Sequence, residues 1–259
     1  RLRVLGFSTL VLERAAAGGV QSIASQGIIH GGVKYALTGE AGAASRAIAA
    51  MPERWSAALG GSGEIDLSGV RRLSPCTWMW TTPGLVSRVA GLAASKVLRT
   101  IPRRVEAGER PAVLSGERLP RGVDVYRVDE PVLDARSLSE ALIEQVGPVG
   151  RVERVLTSQA GAVAGESTVE VESSGERVTI TCRHVLLLGG AGNPALAEAQ
   201  RSLAPPAVQM QVRPLHMVMV RGKLPELFGH CLGASSLPRL TVTTWNTPET
   251  GGAGERVWY

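Results

Sequence analysis

Residues 7–13 read FSTLVLE, a short apolar run that is rich in β-forming residues and ends in an acid. An unbroken apolar run of this length predicts a strand buried on both faces, as in a parallel sheet. Residues 1–5 have the composition of a helix end, and Gly6 suits the position after a helix because glycine accepts the left-handed backbone found there. The chain therefore predicts an α/β layer at its start.

A second apolar run, HVLLL at residues 184–188, predicts another buried strand. It leads into Gly189–Gly190–Ala191–Gly192 and then into a predicted helix at 194–202. Before it, residues 167–172 and 177–182 alternate in polarity around a turn and predict a hairpin. These pieces extend the α/β layer near the end of the chain.

The segments between and after these strands predict a second domain. Residues 33–59 and 84–98 have helical spacing, and residues 134–146 predict an amphipathic helix with Asp or Ser as its cap. Strands predicted at 208–221 and 240–245 are typical of an antiparallel sheet. The order predicts one nucleotide-binding domain interrupted by another domain.

The amino-acid composition and charge limit the kinds of protein that this chain can be. The 259 residues are 44% hydrophobic and 20% charged, which excludes a disordered chain. The net charge of +5 is most simply an arginine-rich surface. Its longest basic stretch, residues 96–104, lacks interleaved aromatics, so we expect no nucleic-acid partner, although peripheral contact with an anionic membrane stays open. Three scattered cysteines without a CxxC pair favour a reducing cytoplasm, and no spacing predicts a metal site.

Glu13 ends the first predicted strand, where dinucleotide folds place an acid that accepts hydrogen bonds from an adenosine ribose. The alternative is an ordinary strand-end charge that faces water. The GxGxxG turn that should precede such a strand is absent, and it would lie upstream of residue 1. Glycines 189, 190 and 192 offer a weaker signal, because they can either bring backbone amides to an anionic ligand or simply make a tight turn.

The most specific stretch is SQGIIHGGVKY at residues 25–35. Small residues around a single histidine suit a flat ring that lies against the backbone. His30 could hydrogen-bond a cofactor or substrate, or act as an acid or base near neutral pH. The alternative is a structural histidine bonded to a carbonyl.

These motifs together resemble the family of FAD-dependent oxidoreductases that contains D-amino-acid oxidases, glycerol-3-phosphate dehydrogenases and L-2-hydroxyglutarate oxidases. SQGIIHGG resembles the segment after the ribose acid, and DEPVLDARSLSEAL resembles the re-entry into the flavin domain. RHVLLLGGAGNPALAE is similar to the late strand and its glycine turn. The matches span residues 7 to about 200 in the family's order, and both ends of the family's flavin site are missing, which predicts truncation at both ends.

The resemblance implies a Rossmann-like FAD-binding domain interrupted by an α+β substrate domain with an antiparallel sheet. The FAD-binding domain would comprise residues 1–40 and 125–204, and the substrate domain residues 41–124 and 205–259. His30 would lie near the flavin ring as the catalytic residue. The residues implied to bind FAD are Glu13, Ser25, Gln26, Gly27, Gly31, Gly32, Val152, Gly189, Gly190 and Gly192.

The resemblance also implies a reaction class. Such enzymes oxidise a C–H bond next to an amine or hydroxyl by hydride transfer to flavin, on a small 2-hydroxy acid, 2-amino acid or polyol phosphate. Arg213, His216 and Arg239 are candidates to bind the anionic group, with surface charge as the alternative. The electron acceptor would be oxygen, a quinone or a protein. The expected location is the cytoplasm, with contact at the inner face of the membrane left open.

Two competing functions remain open at this stage. A catalytically silent relative that acts as a subunit or binding module is favoured by the missing glycine loop and C-terminal segment. A flavoprotein that takes electrons from NAD(P)H would need a second GxGxxG in the middle of the chain, and the sequence has none.

Overall fold

A computed structural model describes residues 1–31, 51–82, 102–116, 119–160, 165–199, 216–233, 238–246 and 254–259. The described chain is a mixed α/β protein, as predicted. The helices are α1 (Met51–Leu59), α2 (Ala135–Val146) and α3 (Asn193–Ala199). The strands are β1 (Val11–Glu13), β2 (Arg72–Ser74), β3 (Thr77–Thr81), β4 (Arg103–Arg104), β5 (Val125–Val128), β6 (Val132–Leu133), β7 (Val149–Arg151), β8 (Arg154–Ala160), β9 (Ser167–Ser173), β10 (Glu176–Cys182), β11 (Val220–Gly222), β12 (Gly229–Leu232), β13 (Pro238–Val242), β14 (Thr244–Asn246) and β15 (Arg256–Trp258).

The chain forms two compact units, each built from two separate segments. The first unit comprises Arg1–Ala24 and Leu142–Leu215, and the second comprises Ser25–Ala141 and His216–Tyr259. The domain ranges that the family resemblance implies stay a prediction.

The first unit begins with the helix end predicted from sequence. Leu5 N–H donates to the Arg1 carbonyl at 3.0 Å, and Gly6 adopts the left-handed conformation with φ +88°. Gly6 N–H then donates to Arg3 and Phe7 N–H to Leu2, which is the pair of bonds that closes a helix in a Schellman motif. The prediction for Gly6 is confirmed.

Two small sheets complete the first unit. β1 pairs in parallel with β7, so part of the predicted parallel strand is present, covering Val11–Glu13. The predicted burial on both faces is wrong, because these three residues are half-buried and Phe7 and Leu10 are exposed. β9 and β10 form the predicted hairpin through a two-residue turn at Ser174 and Gly175, and β8 adds a third antiparallel strand. Val152, Val169 and Val171 are the buried core of this unit.

The predicted strand at residues 184–188 is wrong, because this segment is not in any strand. A buried strand needs hydrogen-bonded neighbours, and among the described residues none pairs with it. Val185 packs on the small core, whereas the Leu188 side chain is 84% exposed. Beyond this segment, α3 confirms the predicted helix within its described residues.

The second unit is organised around a five-stranded sheet with the order β13–β12–β3–β5–β4. Only the β12–β3 pair is parallel, and the other pairs are antiparallel. β11, β15 and β14 form a separate antiparallel sheet, as do β2 and β6. One face of the large sheet buries a core that includes Val105, Leu114, Val125, Leu227 and Val242.

Other sequence predictions fall partly outside the described residues. The helix predicted at 33–59 is present as α1 over its described part, and the one at 84–98 lies outside. Of the strand predicted at 208–221, residues 208–215 lie outside the description, residues 216–219 are unpaired and only β11 is a strand. Within the part of the chain that is described, no helix combines the length and apolar character needed to cross a membrane.

α2 is the clearest success of the sequence analysis. Asp134 stands at its start, where its Oδ1 accepts a hydrogen bond from Ser137 N–H at 2.7 Å. This is the capping bond that satisfies one of the free donors at a helix start. Burial would raise the pKa of Asp134, but that backbone bond and the Arg71 guanidinium outweigh it and hold the pKa below its ordinary value.

Candidate functional site

In the second unit, the candidate site is built by an antiparallel alignment of residues 27–29 with residues 131–133. Ile28 forms a bridge with Val132, Ile29 N–H donates to the Pro131 carbonyl at 3.0 Å, and Leu133 N–H donates to the Gly27 carbonyl at 2.9 Å. In an antiparallel register, each step forward on one segment is a step back on the other. His30 therefore comes to lie opposite Glu130.

Glu130 binds both of the residues that follow Ile29. Its Oε2 lies 3.2 Å from His30 Nδ1, and its Oε1 accepts a hydrogen bond from Gly31 N–H at 2.5 Å. The Glu130 side chain is only 3% exposed, whereas that of His30 is 28% exposed. A buried carboxylate needs such partners for both oxygens, so this group is fixed while the histidine keeps one accessible edge.

The other side of the His30 ring faces a second histidine. The ring centroids of His30 and His230 lie 5.7 Å apart with 30° between their planes. His230 lies on β12, and its Nδ1 is 2.9 Å from Thr241 Oγ1 on the neighbouring strand β13. His230 is not among the site residues predicted from the sequence.

The structure describes two of the three residues predicted to bind the anionic group of the substrate. Arg239 lies on β13 at the point where the β12–β13 register shifts, so strand alternation does not assign its side chain to a face. Arg239 is exposed, as is the second candidate, His216, which lies in the unpaired segment before β11. The third candidate, Arg213, lies outside the described residues.

Several glycines predicted to bind a cofactor make contacts within the protein. A Cβ on Gly27 would overlap the Leu133 carbonyl oxygen, and the N–H of Gly31 is donated to Glu130. At Gly189, a Cβ would lie 2.8 Å from Leu196 Cδ1, and its N–H donates to Asn193 Oδ1 at 2.7 Å. The backbone approach thus gives Gly27 a structural reason to be glycine, and cofactor binding by the three residues stays a prediction. Gly32 lies outside the described residues.

The other residues predicted to bind FAD include both exposed and buried ones. In the first unit, Gly190 and Gly192 are exposed, with no described atom within 4 Å of a Cβ built on either. Val152 is buried, and its N–H donates to the Glu13 carbonyl at 3.0 Å. In the second unit, Ser25 is exposed and Gln26 is half-buried, and the Ser25 carbonyl accepts a bond from Tyr259 OH.

Glu13 ends β1 in the first unit, where the sequence placed it. Its Oε1 accepts hydrogen bonds from the N–H groups of Arg14 at 2.8 Å and Ala15 at 3.1 Å. One carboxylate oxygen thus holds the turn after the strand, and Oε2 takes no part in these bonds. The geometry fits a ribose-binding acid through Oε2, and the open turn at Gly190 and Gly192 fits a backbone approach by an anionic ligand.

Two further predictions concern charge and thiol chemistry. Within the basic stretch at 96–104, the described Arg103 pairs with Glu109 at 3.0 Å and Arg104 with Asp124 at 2.6 Å. Burial raises the pKa of the Cys231 thiol, which favours a packed residue over a nucleophile. Among the described residues, no cluster of His, Cys, Asp or Glu could hold a metal ion.

Glu130 is the functional candidate that sequence reasoning missed. It lies inside DEPVLDARSLSEAL, the stretch that resembles the family's re-entry into the flavin domain. Neither its neighbours nor its spacing distinguishes it from a surface acid. Only the pairing of residues 27–29 with 131–133 buries it beside His30.

Comparisons with known proteins agree with the resemblance seen in the sequence. No family model matches the chain. The chain is 41% identical over 261 residues to a protein of Pseudomonas aeruginosa named probable FAD-dependent oxidoreductase PA4991, with 100% of this chain and 63% of that protein covered. The chain thus spans less than two thirds of the length of the curated relative that it matches.

Solved structures give the same result for the fold. The crystal structure of the FAD-dependent oxidoreductase PA4991 matches with a TM-score of 0.72 and 36% identity, covering 100% of this chain and 60% of that one. Glycine oxidase from Geobacillus kaustophilus matches at 0.52 and 16% identity, with 96% and 63% covered. Iminodiacetate oxidase from Chelativorans sp. BNC1 matches at 0.50 and 13%, with 98% and 65% covered. The last two show the fold alone, and the predicted resemblance to FAD-dependent oxidoreductases is confirmed.

Proposed function

Since this chain is homologous to FAD-dependent oxidoreductases, we propose that the protein is an FAD-dependent enzyme that oxidises a small 2-hydroxy acid, 2-amino acid or polyol phosphate. The observation that carries the FAD-dependent part of this proposal is the match of the whole chain, at 41% identity, to a protein named a probable FAD-dependent oxidoreductase. The substrate classes come from the family resemblance of the sequence motifs. In the same proposal, a Rossmann-like FAD-binding domain is interrupted by an α+β substrate domain.

The first unit contributes nucleotide recognition in this proposal. Glu13 would bind ribose hydroxyls through Oε2, because Oε1 already holds the following turn. The exposed turn at Gly190 and Gly192 would admit a phosphate close to the backbone. Val152 and Gly189 would support these groups by packing rather than by contact with the cofactor.

In the same proposal, the second unit binds the substrate and carries the residue that transfers its proton. His30 has a partly exposed imidazole and stands beside a buried carboxylate, so it can take or return a proton at the oxidised carbon's hydroxyl or amine. Arg239 would attract the carboxylate or phosphate of the substrate from β13, the strand that also carries Thr241 beside His230. When bound, FAD would accept the hydride from the substrate C–H bond. Oxygen, a quinone or a protein would then accept the electrons.

The proposal is tested by the visible spectrum of the protein expressed from its complete gene. Flavin absorption bands should be present, and they should bleach without oxygen on addition of one of a panel of lactate, 2-hydroxyglutarate, glycine, proline and glycerol 3-phosphate. A well-folded protein that stays colourless with added FAD would overturn the proposal and favour a silent relative. Flavin bands that bleach only with NAD(P)H would instead identify NAD(P)H as the electron source.

A further inference from the structure

Glu130 is a buried ionisable residue to which the proposed function assigns no step of its own. It follows β5 directly, and its N–H donates to the Val128 carbonyl at 2.7 Å, which turns the chain sharply before Pro131. The turn brings the carboxylate inward, to a side-chain exposure of 3%. Taking an acid out of water costs free energy, so its retention calls for a physical reason.

The contacts of Glu130 show what the carboxylate does. Oε1 holds the Gly31 amide and Oε2 holds His30 Nδ1, so a single side chain fixes the backbone and the ring of two successive residues. A carboxylate can only accept hydrogen bonds, so this contact favours the tautomer of His30 that carries its proton on Nδ1. In that tautomer, Nε2 on the opposite edge of the ring is the nitrogen that can accept a proton.

His230 restrains the remaining freedom of the ring. It stacks against the His30 imidazole and is itself held at Nδ1 by Thr241 Oγ1. Among the described residues, the titratable groups that contact the His30 ring are thus Glu130, on the turn after β5, and His230, on β12. Glu130 holds the Nδ1 edge of the ring, and stacking with His230 restrains the orientation of the ring plane.

We infer that Glu130 is the positioning residue of the site: its carboxylate keeps a proton on His30 Nδ1 and so presents Nε2 as the proton acceptor for the substrate. This inference rests on the proposed function. In the proposed reaction, bound FAD would take the C–H hydrogen with its two electrons as a hydride, and Nε2 of His30 would take the O–H or N–H proton. The imidazolium that forms is compensated by the Glu130 carboxylate.

The decisive variant is Glu130→Gln in the full-length protein. A glutamine keeps the size of the side chain and an oxygen that can accept from Gly31 N–H. Its amide nitrogen, however, donates toward His30 Nδ1, so the neutral ring must move its proton to Nε2. Asp129→Asn is the matched control, because it removes a neighbouring negative charge that is 77% exposed and pairs along the chain with Arg127. Glu130→Asp tests rescue by a shorter carboxylate.

The first readout needs no substrate. Two-bond ¹H–¹⁵N correlation spectra of ¹⁵N-histidine-labelled protein identify which ring nitrogen carries the proton, and the chain has four histidines to assign. We expect a protonated Nδ1 on His30 in the wild type and in Asp129→Asn, and a protonated Nε2 in Glu130→Gln. A wild-type His30 with its single proton on Nε2 would overturn the inference.

The second readout is anaerobic flavin reduction by whichever probe of the panel reduces the wild type. We expect Glu130→Gln to reduce about 100-fold more slowly with FAD still bound, partial recovery in Glu130→Asp, and an unchanged rate in Asp129→Asn. A Glu130→Gln protein with the switched tautomer and an undiminished rate would overturn the positioning role. A protein without flavin, or one reduced by no probe, would instead refute the proposed function, and the tautomer result would stand by itself.

Discussion

The carbonyl oxygen of Leu133 occupies the space in which any side chain at Gly27 would begin. A Cβ built on Gly27 would overlap that oxygen, and Gly27 also has φ +66°, a conformation that costs other residues energy. The same two residues are joined by the hydrogen bond from Leu133 N–H to the Gly27 carbonyl. This close approach sets the register that places His30 opposite Glu130.

Replacing Gly27 by alanine should therefore destabilise the protein by about 3 kcal/mol, because backbone strain adds to a clash that the backbone cannot relieve. Thermal unfolding measures the change. Gly122→Ala is the matched control: Gly122 has φ +80°, but no described atom lies within 4 Å of a Cβ there, so only the strain of about 1 kcal/mol applies. Equal losses in the two variants would contradict the close approach.

Asp134 should stabilise the protein in a way that depends on pH. Its pKa is lowered on folding, so its contribution is complete above the ordinary aspartate pKa of about 3.9 and is lost as the pH falls through the lower, folded value. The urea midpoint of Asp134→Asn should thus lie below that of the wild type at pH 7, and the difference should shrink below about pH 4.

Asp134→Ala separates the cap from the charge. It removes the bond to Ser137 N–H as well as the ion pair with Arg71, so it should cost about 1 kcal/mol more than a variant that keeps a capping oxygen. Asparagine is such a residue. If Asp134→Ala and Asp134→Asn unfolded at the same urea concentration at pH 7, the capping role would be refuted.

Val125 lies on β5, the strand between β3 and β4 in the large sheet, and its side chain is fully buried. Val125→Ala should lower the free energy of unfolding by about 2 kcal/mol, because it removes two methyl groups and leaves a cavity. Chemical denaturation measures this. Leu240→Ala on the exposed edge strand β13 should change stability by less than about 0.5 kcal/mol, and a comparable loss there would mean that β13 is covered.

Glu13→Gln tests nucleotide recognition in the first unit. Glutamine keeps an oxygen for the Arg14 and Ala15 amides, so the turn after β1 should survive, but the charge that strengthens bonds to ribose hydroxyls is lost. We expect FAD to bind about tenfold more weakly, measured by quenching of flavin fluorescence. Glu176→Gln on the exposed start of β10 serves as control and should leave the affinity unchanged.

The sequence by itself determined the features that depend on a few neighbouring residues. Gly6 ends a helix because three backbone bonds close within seven residues, and Asp134 begins α2 because its carboxylate reaches an amide three positions later. The β9–β10 hairpin follows from alternation around a two-residue turn. The family resemblance likewise rested on short local motifs.

Only the tertiary structure decided what those motifs contact. His30 and Glu130 are 100 positions apart in the chain, and neither position carries a local signal of the other. The structure also shows internal contacts of Gly27 and Gly31 that the sequence did not indicate, and it leaves residues 184–188 outside any strand among the described residues. Local patterns fix turns, caps and periodicity, whereas the pairing of distant segments decides which side chains are buried together and thus which of them can do chemistry.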